Sequence, residues 1–299
     1  MRAHRVVHRV VHRVVMTLAL SGACCLAAPV YADVSTTLQF FGSVQPDLTF
    51  EKSDPRIVSD SKSRDDAIAR ATAEAAADIG TGELKARATG QKFLSGESEI
   101  AARAVARAMD TLTIDGPGAD AIPVSFQMAV DGDLFVPAAA NGTGQAVALV
   151  QGVLGIVGAS EFATLQWRRA YDAGGAVVTD SLTGLGDWLG AAPVAGTTNH
   201  FDLLLQYDAD IVPGTPFDFE SELRAIVGMR GPIGSDAISD FGNTAKFTII
   251  LPQSYTFTSQ SGLFLAGPVP EPQTWALLGV GLLGVGMYAK RRKQGAGSA

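Results

Sequence analysis

The last thirty-one residues, VPEPQTWALLGVGLLGVGMYAKRRKQGAGSA, constrain the rest of the chain most strongly. An apolar run from Trp275 to Ala289 would form a helix about 22 Å long, somewhat shorter than a bilayer core of about 30 Å. Trp275 and Tyr288 stand near its two ends, where aromatic side chains favour the membrane interfaces. Four cations follow and predict a cytoplasmic stop: Lys290, Arg291, Arg292 and Lys293. The pattern predicts a single C-terminal transmembrane helix, with the preceding chain outside the cytoplasm.

The N-terminal segment predicts a secretory signal peptide. It contains four arginines and no acidic residue, and it continues into an apolar core from about Val14 to Ala28. The small-x-small sequence Val30-Tyr31-Ala32 then precedes Asp33. This order predicts cleavage between Ala32 and Asp33 by signal peptidase, after passage through the secretion machinery. One alternative is a retained amphipathic or transmembrane helix, but Pro29 would break it and the apolar run is short for spanning. Another is lipid attachment at Cys24, but the residues before it lack the expected apolar side chain.

Three ordered features at the C-terminus resemble a known sorting signal. Val269-Pro270-Glu271-Pro272, an apolar helix and a terminal Lys/Arg cluster are similar to the PEP-CTERM signal of Gram-negative bacteria that make extracellular polysaccharide. The resemblance implies that the membrane enzyme exosortase recognises Pro270, Glu271 and Pro272, cuts near them and removes the anchor. The prolines favour an extended backbone, which suits presentation to a protease. A permanent anchor on a proline-rich stalk is the alternative.

Both ends together predict three parts in the chain. Residues 1–32 are the signal peptide, residues 33–268 are a β-rich extracellular domain, and residues 269–299 are the sorting signal. The precursor would be anchored in the inner membrane, and the processed protein would reach the cell surface or the extracellular space.

Removing the predicted end segments changes the composition of what remains. Both cysteines and three of the four histidines precede Ala32, which leaves His200. Removing eight of the 23 basic residues leaves 15 against 30 acidic residues, or 29 if Glu271 leaves with the anchor, a net charge of about −15 or −14. Such a domain lacks the residues for a Cys/His zinc site, a disulfide or a cysteine nucleophile. Binding of nucleic acid would require clustered cations to neutralise the phosphates, and the acidic balance of the domain argues against it. We therefore expect no cofactor and no nucleic-acid partner.

Short β-branched and aromatic segments predict the fold of the central domain. Turn residues such as Asp131-Gly132 separate these segments, as expected between strands. The clearest predicted strands are residues 122–130, 145–150, 201–207, 246–251 and 254–258. Several short strands with intervening turns predict a mainly β domain, an antiparallel β-sandwich of jelly-roll-like type.

The alanine-rich segment 65–110 has two interpretations. Alanine has the highest helix propensity, so local preference favours helices. The alanines at every second position from 102 to 108 would instead place their methyl groups on one face of a strand. Segments such as 77–85 and 240–245 resemble stretches of β-rich PEP-CTERM ectodomains, and this resemblance implies strands. The residues alone leave helix and strand open.

Three carboxylates share one face of a predicted strand. Asp218, Glu220 and Glu222 alternate with other residues, and neighbours on one face of a strand are about 6.5 to 7 Å apart. A glycosidase needs two carboxylates at roughly 5 to 10 Å, so a secreted hydrolase is one hypothesis. A half-exposed strand with an acidic outer face gives the same pattern. We expect this structural role and no catalytic residue.

Two aspartate-rich segments and one histidine are further candidates. Residues 115–120 and 131–133 place carboxylates on predicted turns, where calcium often binds, but neither has the distal glutamate of a full calcium loop. His200 and Asp202 would suit a base and its orienting carboxylate, but no serine is marked as a nucleophile. We expect a structural histidine and no dedicated metal site.

Carbohydrate binding would need exposed aromatic rings. Trp167 and Trp188 are the tryptophans outside the tail. Trp167 precedes Arg168 and Arg169, and this pattern predicts a core ring with solvent-exposed arginines. Trp188 stands among glycines, which would suit an exposed ring.

The sequence therefore predicts an exported, non-catalytic protein of the cell surface or extracellular matrix, associated with exopolysaccharide and biofilm. The first alternative is a carbohydrate-binding module, and the second alternative is a carboxylate-dependent secreted hydrolase.

Overall fold

The domain between the two predicted end segments is built of β-strands. The computed structural model describes residues 33–42, 47–65, 67, 69–93, 99–136, 145–158, 162–171, 177–185, 187–189, 200–231 and 236–265. The strands are β1 (Asp33–Gly42), β2 (Leu48–Asp54), β3 (Ile57–Asp65), β4 (Ala69–Asp78), β5 (Glu83–Lys92), β6 (Glu99–Asp115), β7 (Ile122–Phe135), β8 (Gln145–Ile156), β9 (Phe162–Tyr171), β10 (Val177–Leu185), β11 (Asp187–Leu189), β12 (His200–Ile211), β13 (Phe217–Arg230), β14 (Ala237–Ile250) and β15 (Thr256–Ser259). The prediction of a mainly β domain is confirmed.

The described ranges contain no helix that is long and apolar enough to cross a bilayer. The predicted signal peptide, residues 1–32, and the predicted sorting signal, residues 269–299, both lie outside these ranges. The predicted cleavage site straddles the boundary, because Ala32 lies outside and Asp33 is the first residue of β1.

Two antiparallel sheets pack face to face. The first sheet has the order β10-β9-β8-β13-β6-β1-β2, and the second has the order β11-β12-β7-β14-β5-β4-β3. Leu112 of β6 pairs with Phe217 of β13 on one side and with Ser259 of β15 on the other, so β15 continues the line of β1. The central strands read β1/β15-β6-β13 in the first sheet and β5-β14-β7-β12 in the second. The remaining strands widen both sheets at their edges.

Alanine side chains fill much of the space between the sheets. Every second residue is a buried alanine along β4 and in the middle of β6: Ala69, Ala71, Ala73, Ala75 and Ala77 in β4, and Ala102, Ala104, Ala106 and Ala108 in β6. Met229 of β13 fills the space over Gly90 of β5, since a Cβ added to Gly90 would lie 2.2 Å from the Cε of Met229. Strand formation buries one complete row of methyl groups per strand, and this gain outweighs the helix propensity of alanine. Residues 69–78, 83–92 and 99–115 are therefore strands.

Aromatic side chains fill the end of the sandwich at which β6 ends and β13 begins. Phe219 of the first sheet stacks on Phe126 of the second, with ring centroids 4.9 Å apart, and its centroid is 4.6 Å from that of Phe247. The ring centroid of Phe264, which follows β15, lies 5.2 Å from that of Phe247 and 5.8 Å from that of Phe219. All four rings are buried. The segment after the last strand is thus part of the hydrophobic core.

One predicted turn is wrong. Asp131-Gly132 lies inside β7, opposite an irregularity of β14 between Asp240 and Thr244. A Cβ added to Gly132 would lie 2.3 Å from the ring of Phe241 and 2.4 Å from the carbonyl oxygen of Asp240. The glycine therefore permits a close approach of two strands, which is a common reason for glycine within a sheet.

Candidate functional site

The last described segment of the domain is fixed to the sandwich just before the predicted sorting motif. The Ser261 hydroxyl donates to Oδ2 of Asp110 at 2.5 Å, and Asp110 is only 1% exposed. The Leu265 N–H donates to the carbonyl oxygen of Ile79 at 2.9 Å. Phe264 between these two contacts is buried in the aromatic cluster. We call residues 259–265 the C-terminal junction.

The turn between β4 and β5 receives the C-terminal junction. Oδ1 of Asp78 accepts the N–H groups of Gly80 at 2.8 Å and Thr81 at 3.4 Å, which fixes the turn. Gly82 has a φ of 69°, a left-handed conformation that glycine adopts without strain. Its carbonyl oxygen accepts the N–H of Phe247 at 2.9 Å. The same turn therefore supports β14 and the junction.

Chain length limits the distance from the domain to the predicted sorting motif. Pro270 is the fifth residue after Leu265, and an extended chain covers at most about 3.6 Å per residue. The chain from Leu265 to Pro270 can therefore span at most about 18 Å. The predicted motif and the predicted cationic stop themselves lie outside the described residues.

We expect Ser261→Ala to lower the free energy of unfolding by about 1 kcal/mol. The substitution removes a hydrogen bond to the buried carboxylate of Asp110. Urea unfolding followed by circular dichroism measures the change. Ser53→Ala, at an exposed position of β2, is the matched control and should leave stability nearly unchanged. Equal losses in both variants would show that the junction contact contributes nothing specific.

The three carboxylates of β13 do share the outer face of the first sheet, and each has a partner there. The pairs are Asp218 with the Thr111 hydroxyl at 2.6 Å, Glu220 with Nε and Nη2 of Arg107 at 2.7 and 2.8 Å, and Glu222 with Nε of Arg224. A bidentate arginine–carboxylate contact is among the stronger ion pairs in proteins. These contacts favour the structural role predicted for the acidic row.

His200 lies beside two aspartates of β7. Its Nε2 is 3.3 Å from Oδ1 of Asp131, and its Nδ1 is 3.4 Å from Oδ1 of Asp133. Asp202, predicted as its orienting partner, is exposed and stands opposite Asp131 in the strand register. The contacts with β7 favour the structural role predicted for the histidine.

The aspartate-rich segments are held by the chain's own contacts. Within the described ranges, no three Asp, Glu, Cys or His side chains are arranged to hold a metal ion. In loop 115–120, the Thr258 hydroxyl donates to Oδ2 of Asp115 at 3.0 Å. The Tyr255 hydroxyl donates to the carbonyl oxygen of Pro117 at 2.6 Å. The second segment, residues 131–133, belongs to β7 and contacts the histidine described above.

The first of the two tryptophan candidates is a core residue. Trp167 is 1% exposed, so it cannot stack on a sugar without unfolding. Arg169 is also buried, with its guanidinium carbon 5.2 Å from the Trp167 ring centroid, and it donates to the carbonyl oxygen of Leu134 at 3.3 Å. The prediction of a solvent-exposed Arg169 is therefore wrong. Trp188 belongs to β11, but its side chain lies outside the described features.

The sequence analysis missed a group of arginines on the outer face of the first sheet. They are Arg103 and Arg107 of β6, Arg168 of β9 and Arg224 of β13. Burial lowers the pKa of Arg103 and that of Arg168. Burial, followed by the nearby charge of Arg103, lowers the pKa of Arg224 to about 10. No local motif joins these residues, because only strand pairing brings the three strands together.

Glu99, at the start of β6, should make the free energy of unfolding depend on pH. Burial raises its pKa, although Arg230 opposite it acts in the other direction. A raised carboxyl pKa contributes stability that is present below the unfolded pKa and lost as pH rises through the folded pKa. The free energy of unfolding of Glu99→Gln minus that of the wild type should therefore be larger at about pH 7 than at about pH 4. Urea unfolding at both pH values tests this, and an unchanged difference would contradict it.

Comparison with known proteins identifies the C-terminal segment. Residues 268–293 match the family described as the PEP-CTERM protein-sorting motif. The chain contains a PEP-CTERM protein-sorting motif. The matched range contains the whole predicted motif from Pro270 to Pro272 and the predicted stop from Lys290 to Lys293, and the separate roles of these residues remain predictions.

The PEP-CTERM motif is a sorting signal that exosortase recognises, which implies export and sorting to the cell surface. The match covers the C-terminal segment. No curated protein matches the sequence. A solved structure described as "Pore forming protein" is 8% identical, over 68% of this chain and 89% of its own, with a TM-score of 0.15. That likeness is too weak to carry any argument.

Proposed function

We propose that this PEP-CTERM protein is a non-catalytic component of an extracellular polysaccharide matrix or biofilm, released from its membrane anchor by exosortase. The observation that carries the proposal is the C-terminal junction. The domain is folded up to Leu265, and the matched sorting motif begins at residue 268. A compact domain placed directly before a cleavable signal would leave the membrane as an intact unit.

The charge and the side-chain pairing of the domain support a structural role. With both end segments removed, the domain would carry about −14, which favours a soluble, hydrated state among polysaccharide chains. The carboxylates of β13 are engaged with arginine and threonine side chains, so a hydrolase would have to break these contacts before using them.

The first test is the mass of the C-terminal peptide of the protein recovered from the extracellular fraction of its native host. We expect a chain that ends near Pro270 to Pro272. Glu271→Ala should leave the chain intact and in the membrane fraction, while Gln273→Ala, two residues away, is the matched control and should still be processed. A wild-type chain that reaches Ala299 would overturn the proposal and favour a permanently anchored ectodomain.

A further inference from the structure

The outer face of the first sheet carries an ordered pattern of arginine, glutamine and aliphatic side chains. Strand pairing places Arg103, Ile226, Leu149 and Arg168 in one row across β6, β13, β8 and β9. Three strand steps separate the two arginines, or about 14 Å at the usual strand spacing. The neighbouring row contains Arg224, Gln151 and Gln166 on the same face. The pattern therefore presents two aliphatic side chains with a cation at each side.

Among the described residues, two of these arginines have no acidic partner. In the described part of the chain, Arg103 donates through Nη1 to Oε1 of Gln39 at 3.1 Å and forms no ion pair with a carboxylate. Arg168 likewise has no ion pair with a described carboxylate. Arg224, in contrast, pairs with Glu222. Taking a cation out of water is costly unless an opposite charge or several hydrogen bonds compensate it.

An external anion would compensate these cations. We propose that this face binds a polysaccharide whose sugar units carry carboxylates, with Arg103 and Arg168 as the carboxylate-binding residues. This inference rests on the proposed matrix function and names the partner class. A planar carboxylate matches the donor geometry of a guanidinium group. Ile226 and Leu149 between the arginines provide an aliphatic surface for the apolar face of a sugar ring.

The remaining polar groups of the face suit sugar hydroxyls. Gln39 and Gln151 are already fixed by contacts to arginine, at 3.1 and 3.3 Å, so their amides are held in place. Acidic groups limit the cationic area on both sides, with Glu222 towards one end and Glu99 towards the other. A carboxylated glycan is favoured over nucleic acid, because the named residues include no aromatic ring for base stacking and the domain as a whole is acidic.

The test measures binding of the full chain, purified in detergent, to polygalacturonate, to neutral dextran and to duplex DNA, by biolayer interferometry. We expect binding to polygalacturonate that weakens with salt, and no binding to dextran. The variant with Arg103→Gln and Arg168→Gln should bind about tenfold more weakly or worse, because two charge-assisted contacts are lost. The matched control carries Lys62→Gln and Arg70→Gln, two surface cations of β3 and β4, and should bind like the wild type.

A thermal-melting measurement keeps the test independent of folding defects. Polygalacturonate should raise the Tm of the wild type and of the control, but not that of the double arginine variant, since ligand binding stabilises the folded state. Absence of polygalacturonate binding, equal losses in both variants, or stronger binding to DNA would each overturn the inference. The C-terminal mass reports on sorting separately, so failure here would leave the sorting proposal standing.

Discussion

Phe219→Ala should lower the free energy of unfolding by about 3 to 5 kcal/mol, the usual range for removing a buried aromatic ring. Phe219 is fully buried, and its ring contacts Phe126, Phe247 and Phe264 with centroids 4.6 to 5.8 Å apart. The substitution removes apolar burial and leaves a cavity between rings that two sheets hold in place, so little of the space can be refilled. Urea unfolding followed by circular dichroism measures the loss.

The same variant should loosen the C-terminal junction. Phe264 would lose one of its ring contacts, so limited proteolysis should cut within residues 259–265 more readily than in the wild type. Phe162→Ala is the matched control, since that ring is 46% exposed at the start of β9, and it should change both measurements little. A stability loss below about 1 kcal/mol for Phe219→Ala would contradict the description of the cluster as the core of this end.

The sequence predicted the fold class because its alternating pattern is long. The strand predictions 122–130 and 201–207 fall inside β7 and β12, and in each case the strand extends beyond the prediction. The alanine segment shows the limit of local reasoning. Helix propensity and strand alternation conflict there, and the conflict is resolved only by the opposite sheet, which buries the methyl groups.

The sorting motif and the arginine face differ in how far sequence reasoning reaches. The motif is a contiguous segment, so residues 268–293 carry the whole signal in order. The arginine face combines Arg103, Arg168 and Arg224 from β6, β9 and β13, and their proximity depends on strand order and register. Gly132 was misread for a related reason, because a glycine that admits Phe241 from another strand looks locally like a turn.

Ala104→Leu should lower the free energy of unfolding by about 3 kcal/mol, which is the upper part of the range for overpacked cores. Ala104 is fully buried at the centre of β6, between Leu38 of β1 and Ala225 of β13. The added atoms would project into the layer between the sheets, where the opposing strands β4 and β5 also present alanines. Close-packed interiors accept such volume only by shifting backbone or forcing unfavourable rotamers.

The matched control for the alanine layer is Ala101→Leu on the same strand. Ala101 faces outward, between Phe41 of β1 and Gly228 of β13, so its larger side chain would extend over the sheet surface. Its effect on the free energy of unfolding should stay within about 0.5 kcal/mol. If both variants lost the same free energy of unfolding, the loss would come from placing leucine anywhere in β6 and not from the space between the sheets. A loss confined to Ala104→Leu would instead show that the narrow spacing of the sheets requires alanine, which local helix propensity does not reveal.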